Sequence, residues 1–197
     1  SPTGYNGFDG YSFWKNFISD LGMIHTFQNS PNTLSPVFLG FGITILSIGG
    51  SVFYLLAYSI FNEESVAIKR LSAIGSISGI SGCIFLLGVS VFPKDTDLEL
   101  HEITSGLFFL LTFVALLVYN RLIFMRREIS NRYTIAGYVF VICGLIYAIV
   151  PKLIFPQLDD EATFIFKPAS QKIAVISLLV AMVNYMVMIK AFKSTQS

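Results

Sequence analysis

Charged side chains are scarce in this chain of 197 residues, and its basic side chains are never clustered. Only 13% of the residues are charged, the formal net charge is +1, and Lys and Arg never form a run of five. Nucleic-acid binding depends on clustered basic side chains, so this class of protein is excluded as an expectation. A hydrophobic fraction of 54% is instead typical of a membrane protein.

Cysteine and histidine are also rare, which limits the kinds of site that the chain can build. Cys83 and Cys143 lie in apolar stretches and form no Cys-x-x-Cys pair, so neither a disulfide framework nor a thiolate metal site is indicated. The only histidines, His25 and His101, are too few for a zinc site unless carboxylates complete it. The sequence carries no haem, nucleotide or zinc signature, and it leaves the cofactor unknown.

Five long stretches contain no Asp, Glu, Lys or Arg at all. They are 36–61, 71–92, 103–120, 133–150 and 173–189. Crossing a hydrocarbon core about 30 Å thick takes roughly 20 apolar helical residues, and these stretches are that long or nearly so. A soluble bundle would also show polar residues along its outer faces, and these stretches do not. The sequence predicts an all-α, polytopic transmembrane helical bundle with five spans, forming a single membrane domain over 1–197.

The distribution of basic residues predicts the orientation of this bundle. Lys and Arg favour the cytoplasmic side of a membrane. Arg121, Arg126, Arg127 and Arg132 share one side with the carboxyl terminus, whereas most acids lie in the opposite connections. We therefore expect a multi-pass protein of the cell membrane with the amino terminus of this chain outside and its carboxyl terminus cytoplasmic. Because the chain starts on the outside, we expect a sixth, upstream span to be missing from it; removal of a signal peptide is the alternative.

Residues 11–27 have a different character from the five spans. Their apolar residues recur at intervals of three and four, with polar residues mostly off that stripe. Such a segment is too polar to cross a membrane but suits the headgroup layer, where Trp and Tyr are favoured. The sequence predicts an N-terminal, outer, interfacial amphipathic helix, or a lid packed on the outer ends of the spans.

The stretch FPKDTDLELHEITSG, 92–106, concentrates charge between two apolar stretches and lies on the predicted outer side. Together with 18–27 and 156–164 it brings carboxylates and both histidines to that side. The candidate ligands for a divalent cation such as calcium or magnesium are Asp95, Asp97, His101, Glu102 and His25. Asp20 and His101 are the candidate catalytic groups, as acid and base.

Two further interpretations bear on these residues. Asp97 and Glu99 also suit the amino terminus of the third span, where carboxylates cap a helix and interact favourably with its dipole. Ser19, next to Asp20 and with a histidine nearby, invites a Ser-His-Asp hydrolase interpretation, but the chain has no G-x-S-x-G elbow.

The segments NFISDLG, 16–22, and GVSVFPKDTDLELHEITSG, 88–106, carry a family resemblance. They resemble the bacterial and archaeal membrane family known as domain of unknown function 998. Its pattern is an S-D-L-G element in an aromatic-rich outer loop, a helix ending in F-P-x-D, and a His that opens the next helix. Here His101 matches the last element, and either Asp95 or Asp97 the Asp. The family is related in outline to the Frag/DRAM/Sfk group of membrane proteins, so the resemblance implies six helices but no reaction.

These features leave two classes of function open. No ionisable residue lies deep in any predicted span, which argues against an ion pump or a proton-coupled transporter. The motif Gly75-x-x-x-Gly79 predicts close helix packing within the bundle. We expect a non-catalytic accessory or scaffold subunit whose partners are the lipid bilayer and other membrane subunits. The alternative is a small membrane enzyme or lipid-handling protein with an outer His and Asp site, with or without a metal.

Overall fold

The computed structural model describes residues 10–61, 65–126, 128–153 and 160–194. Five helices in these ranges are long and apolar enough to cross a membrane, and no β-strand occurs there. They are α1 (Leu34–Phe61), α2 (Val66–Val91), α3 (Leu98–Met125), α4 (Thr134–Leu153) and α5 (Asp160–Ser194). Short 3-10 helices cover Ile18–Gly22 and Asn131–Tyr133. The predicted polytopic helical bundle is confirmed.

The helices extend beyond the uncharged stretches that predict them. α3 begins at Leu98, five residues before the stretch 103–120, and it carries Glu99 and Glu102 in its first two turns. α5 begins at Asp160, well before the stretch 173–189, and contains Pro168. Charged side chains mark where a helix leaves the hydrocarbon, but they do not end it, because the backbone hydrogen bonds continue.

The pairs of neighbouring helices differ in how closely they pack. α2 lies against both α1 and α3, and α4 pairs with α5, whereas α1 meets α5 only loosely. Gly75 faces Val118 and Tyr119 of α3, and Gly79 faces the ring of Tyr54 on α1. A side chain at either glycine would overlap these neighbours, so Gly75-x-x-x-Gly79 serves packing inside the bundle, as predicted.

The N-terminal segment, residues 10–33, packs on one end of the bundle. The helix predicted over 11–27 is limited to the five residues Ile18–Gly22, which contact α1, α2 and α5. Phe13, Trp14 and Phe27 are exposed, while the polar Asn16 and Asp20 are buried. The spacing of apolar residues was misleading here, because the polar side chains face the protein and bind its backbone.

The two ends of the bundle differ in charge and are named accordingly. The site end comprises the N-terminal segment and the connection 92–97 between α2 and α3. The basic end carries Arg121, Arg126 and Arg132. At the basic end, Arg126 Nη1 donates a hydrogen bond of 2.8 Å to the carbonyl of Ile60 near the end of α1.

Candidate functional site

Asp20 holds the N-terminal segment on the bundle. Its buried carboxylate accepts a hydrogen bond of 2.8 Å from the backbone N–H of Phe17, which closes the 3-10 turn. The other oxygen accepts one of 3.2 Å from Nζ of Lys94, in the connection 92–97. Both oxygens therefore bind groups that position the segment, and within the described ranges no hydrogen bond joins either oxygen to His101, its predicted catalytic partner.

α5 supplies a second attachment for the same segment. Oε1 of Gln171 accepts a hydrogen bond of 2.9 Å from the backbone N–H of Ile18. The Lys172 ammonium donates to the carbonyl of Asn16, and it lies 5.6 Å from the ring centre of Tyr11. Burial, and secondly the charge of Asp20, raise the pKa of Tyr11 to about 12. The lysine and the ring thus form one packed unit at the site end.

Asp95 makes a third attachment, further out. Its two oxygens accept hydrogen bonds from the backbone N–H groups of Ile24, at 3.2 Å, and His25, at 2.8 Å. The His25 Nδ1 lies 3.5 Å from the same carboxylate. Asp95 and His25 are therefore the predicted ligand candidates that the structure brings together.

His101 lies at the start of α3 and is 5% exposed. Its Nδ1 is 2.8 Å from the carbonyl oxygen of Phe92. A carbonyl only accepts, so Nδ1 must carry the proton, and in the neutral ring Nε2 is left as an acceptor. Nε2 has no hydrogen-bond partner among the described residues. The backbone thus fixes the ring and leaves one nitrogen available.

The remaining predicted ligands separate from these groups. Asp97 caps α3, where its Oδ1 accepts a hydrogen bond of 3.0 Å from the N–H of Leu100, which confirms the capping interpretation. Glu102 is exposed on α3. Within the described ranges, no three His, Cys, Asp or Glu side chains come together as a metal-binding group. Of the predicted outer segment 156–164, residues 156–159 lie outside the described residues, and 160–164 belong to the start of α5.

A polar cavity of about 440 Å³ opens beside His101. Its wall is formed by the N-terminal segment, the connection 92–97 and the adjoining parts of α3, α4 and α5. The charged residues that line it are Lys94, Glu102 and Lys167. Tyr147 of α4 adds a phenol.

An apolar cavity of about 250 Å³ continues from the same place into the bundle. Side chains of α1, α2, α3 and α5 line it as far as Tyr54 and Cys83. Phe38 of α1, which is 74% exposed, and Leu179 of α5 also line it, so the cavity borders the outer surface where α1 and α5 meet loosely. Four residues line both cavities, and we call them the junction: Ser19, His101, Ser105 and Gln171.

Sequence reasoning found part of this junction. Ser19 and His101 were singled out by the S-D-L-G element and by the histidine that opens a helix. Ser105 and Gln171 were not, because a serine in an apolar stretch and a glutamine next to a span are common in any membrane protein. The buried Lys172 was counted only as a loop charge, although it lies five residues after Lys167 and next to Gln171, on a turn of α5 that extends the last span.

Comparison with known proteins adds a family but no activity. The model of a protein family of unknown function, DUF998, matches residues 6–189. The chain belongs to this family. Searches of curated proteins and of solved structures gave no match. DUF998 membership agrees with the resemblance carried by the S-D-L-G and F-P-x-D segments, and the five apolar helices make the chain a multi-pass membrane protein.

Proposed function

We propose that this protein binds a single membrane amphiphile, with the apolar part in the apolar cavity and the polar part in the polar cavity. The observation that carries the proposal is that four residues line both cavities, so that an apolar space and a polar space adjoin at the junction. A lipid has the same change of polarity along its own length. A fully polar ligand would not occupy the apolar cavity, because its polar groups would lose their water there.

The dimensions and position of the site support this proposal. The polar cavity alone, at about 440 Å³, falls within the range of roughly 300–1,000 Å³ that is usual for small-molecule sites. The apolar cavity is bordered by Phe38 and Leu179, which are themselves exposed on the bundle surface. An apolar chain in the surrounding bilayer would therefore reach the cavity between α1 and α5 without crossing water.

The proposal also includes the orientation of the bundle in the membrane. We propose, from the distribution of charges, that the site end lies on the outer face and the basic end in the cytoplasm. Cysteines introduced at Glu99 and at Lys69, both exposed, should then be labelled from opposite sides of a sealed vesicle. The similarity to the Frag/DRAM/Sfk group, a bacterial or archaeal origin and an association with other membrane subunits stay predictions.

Lipid handling was the sequence-based alternative to a scaffold role, and the junction now gives it a specific site. The enzyme form of that alternative has less support, because Asp20 binds Lys94 and Phe17 instead of orienting His101. Binding without chemistry is therefore the function that we favour.

Two glycines of α1 allow a matched test of lipid binding. Gly42 lines the apolar cavity, Gly49 does not, and a Cβ at either position would meet nothing within 4 Å. Gly42→Leu should fill the cavity, whereas Gly49→Leu should add the same side chain elsewhere. The measurement is native mass spectrometry of protein extracted in mild detergent. We expect bound lipid on the wild type and on Gly49→Leu, and at least a tenfold smaller bound fraction on Gly42→Leu. Equal retention by both variants, or no lipid on the wild type, would refute the proposal.

A further inference from the structure

We infer that the amphiphile bound in the joined cavities presents a neutral hydroxyl group, next to its apolar chain, to Nε2 of His101. This inference rests on the proposed function and names the chemical class of its ligand. The class comprises lipids with a free hydroxyl at the base of the headgroup, of which a diacylglycerol is the simplest case.

The first argument is the state of His101. The carbonyl of Phe92 fixes the proton on Nδ1, so Nε2 of the neutral ring can only accept. The ring is 95% buried and lines both cavities, yet Nε2 has no partner among the described residues. A ligand that covers Nε2 would shut out water there, so an acceptor left without a donor in the complex would be costly, and a donor on the ligand avoids that cost.

The second argument is the hydrogen bonding of Ser105, which lines both cavities together with His101. Ser105 Oγ donates its proton to the carbonyl of Glu102, at 3.2 Å, so its oxygen faces any ligand only as an acceptor. Gln171 Oε1 is already bound to the N–H of Ile18. Two neighbouring groups of the junction, on one face of α3, therefore both call for a donor on the ligand.

The third argument distinguishes a hydroxyl from a charged donor. The junction also lines the apolar cavity, so a ligand group placed there loses much of its water. Desolvating an ammonium costs far more than desolvating a hydroxyl. The two lysines that line the polar cavity, Lys94 and Lys167, do not line the apolar one, so a phosphate would be bound further out, away from the junction.

The inference is tested with two lipids that share the same two acyl chains, one with a free hydroxyl and one in which an acetyl group replaces the hydroxyl proton. The probes are 1,2-dioleoylglycerol and 1,2-dioleoyl-3-acetylglycerol, in which the hydroxyl is blocked. Both are added to delipidated, detergent-solubilised wild type, and the bound fractions are measured by native mass spectrometry. We expect the free hydroxyl to bind about tenfold more tightly, the effect of one buried hydrogen bond whose loss leaves an acceptor unpaired. Equal binding of the two probes overturns the inference.

Two substitutions of His101 assign this preference to Nε2. The amide of His101→Asn ends near the position of Nδ1 and keeps a donor for Phe92, but it lacks a group at Nε2. The longer amide of His101→Gln can place an oxygen near Nε2. We expect His101→Asn to bind both probes equally and His101→Gln to keep part of the preference. A full preference in His101→Asn, with unchanged thermal unfolding, overturns the assignment.

The outcomes separate this inference from the proposed function. If dioleoylphosphatidylcholine, which has a phosphate but no donor, is retained better than dioleoylglycerol, the hydroxyl inference fails and lipid binding stands. If no lipid is retained and Gly42→Leu behaves as the wild type, lipid binding itself fails. If His101→Asn does not fold, the comparison of the two probes on the wild type still decides the inference.

Discussion

The two halves of the bundle both bury polar side chains, but they use them differently. In the half toward the basic end, polar groups bind each other across helices. The Tyr119 hydroxyl of α3 contacts that of Ser76 on α2, and Ser76 Oγ donates a hydrogen bond of 2.7 Å to the carbonyl of Tyr54 on α1. The Tyr185 hydroxyl of α5 donates to Asn120 Oδ1 of α3. These bonds hold the helices together.

In the half toward the site end, the polar groups instead bind backbone or line a cavity. His101 Nδ1 binds the Phe92 carbonyl, Gln171 accepts a hydrogen bond from the Ile18 N–H, and both side chains line the polar cavity. Packing around the glycines also varies along the bundle. A Cβ at Gly137, near the basic end, would overlap Tyr185 and Asn120, and one at Gly88, toward the site end, would overlap Thr104, whereas one at Gly42, beside the apolar cavity, would meet nothing. Burial of polar residues alone therefore does not reveal a binding site, because both halves bury them; the half toward the site end differs in that its polar residues line a polar cavity.

The largest expected effect is a loss of unfolding free energy when a side chain is added where α1 and α2 pack closely. Gly79→Ala would place a methyl group against the buried ring of Tyr54, between α2 and α1. Overpacking of this kind costs about 1–3 kcal/mol of unfolding free energy. Gly49→Ala, in open space on α1, should change it by no more than about 0.5 kcal/mol. Unfolding in detergent, followed by circular dichroism, measures both. Equal effects would show that the two faces are packed alike.

The next effect concerns the attachment of the N-terminal segment. Asp20→Ala removes the acceptor of both the Lys94 ammonium and the Phe17 N–H. Leaving these donors without their partner should weaken the attachment by about 1–3 kcal/mol. Hydrogen exchange should therefore become faster over residues 16–25, while α2 and α3 keep their protection.

Asp95→Ala is the matched control for this variant. It also removes a carboxylate that accepts two backbone bonds, but those of Ile24 and His25 are exposed to water. We expect a smaller change, confined to the N–H groups near residue 25. If Asp95→Ala releases residues 16–22 as fully as Asp20→Ala does, the buried carboxylate is not the main attachment.

The fold was predictable from the sequence because the lipid bilayer limits a chain that crosses it to few structures. An uncharged stretch of about 20 residues has few alternatives to a spanning helix. The helix ends were not predictable at the same precision, since Glu99 and Glu102 of α3 remain helical outside the hydrocarbon. For residues 11–27 the predicted helix was wrong for a related reason, whereas the alternative, a segment packed on the ends of the spans, agrees with the structure. The spacing of Phe13, Trp14 and Phe17 indicates a helix. The segment instead follows a path on which it forms hydrogen bonds with Lys94, Gln171 and Lys172.

The candidate site was predictable only in its first members. His101 and Ser19 stand out as rare or motif residues, and both line the junction. The sequence could not show that Asp95 would bind backbone N–H groups or that Gln171 would come next to Ser19, 152 positions away along the chain. Those facts depend on tertiary placement, which a single sequence with five similar helices does not encode by spacing.

The smallest expected effect is the shift in the pKa of Tyr11, which reports how the N-terminal segment packs at the site end. Burial and the charge of Asp20 raise the pKa of this phenol to about 12, above its ordinary value near 10. A raised pKa means that the folded state favours the neutral phenol. This contribution to stability is therefore complete below pH 10 and is lost as the pH rises through about 12.

Alkaline titration of the wild type and of Tyr11→Phe isolates this phenol from the other eight tyrosines. The difference in tyrosinate absorbance between the two proteins should have its midpoint near pH 12. In the Asp20→Asn background the midpoint should move down only in part, because burial is the larger cause and the charge the smaller one. Lys172, over the same ring, contributes no tyrosinate absorbance, and it is present in both proteins. A midpoint near pH 10 would mean that the N-terminal segment does not pack against α5 as it does here.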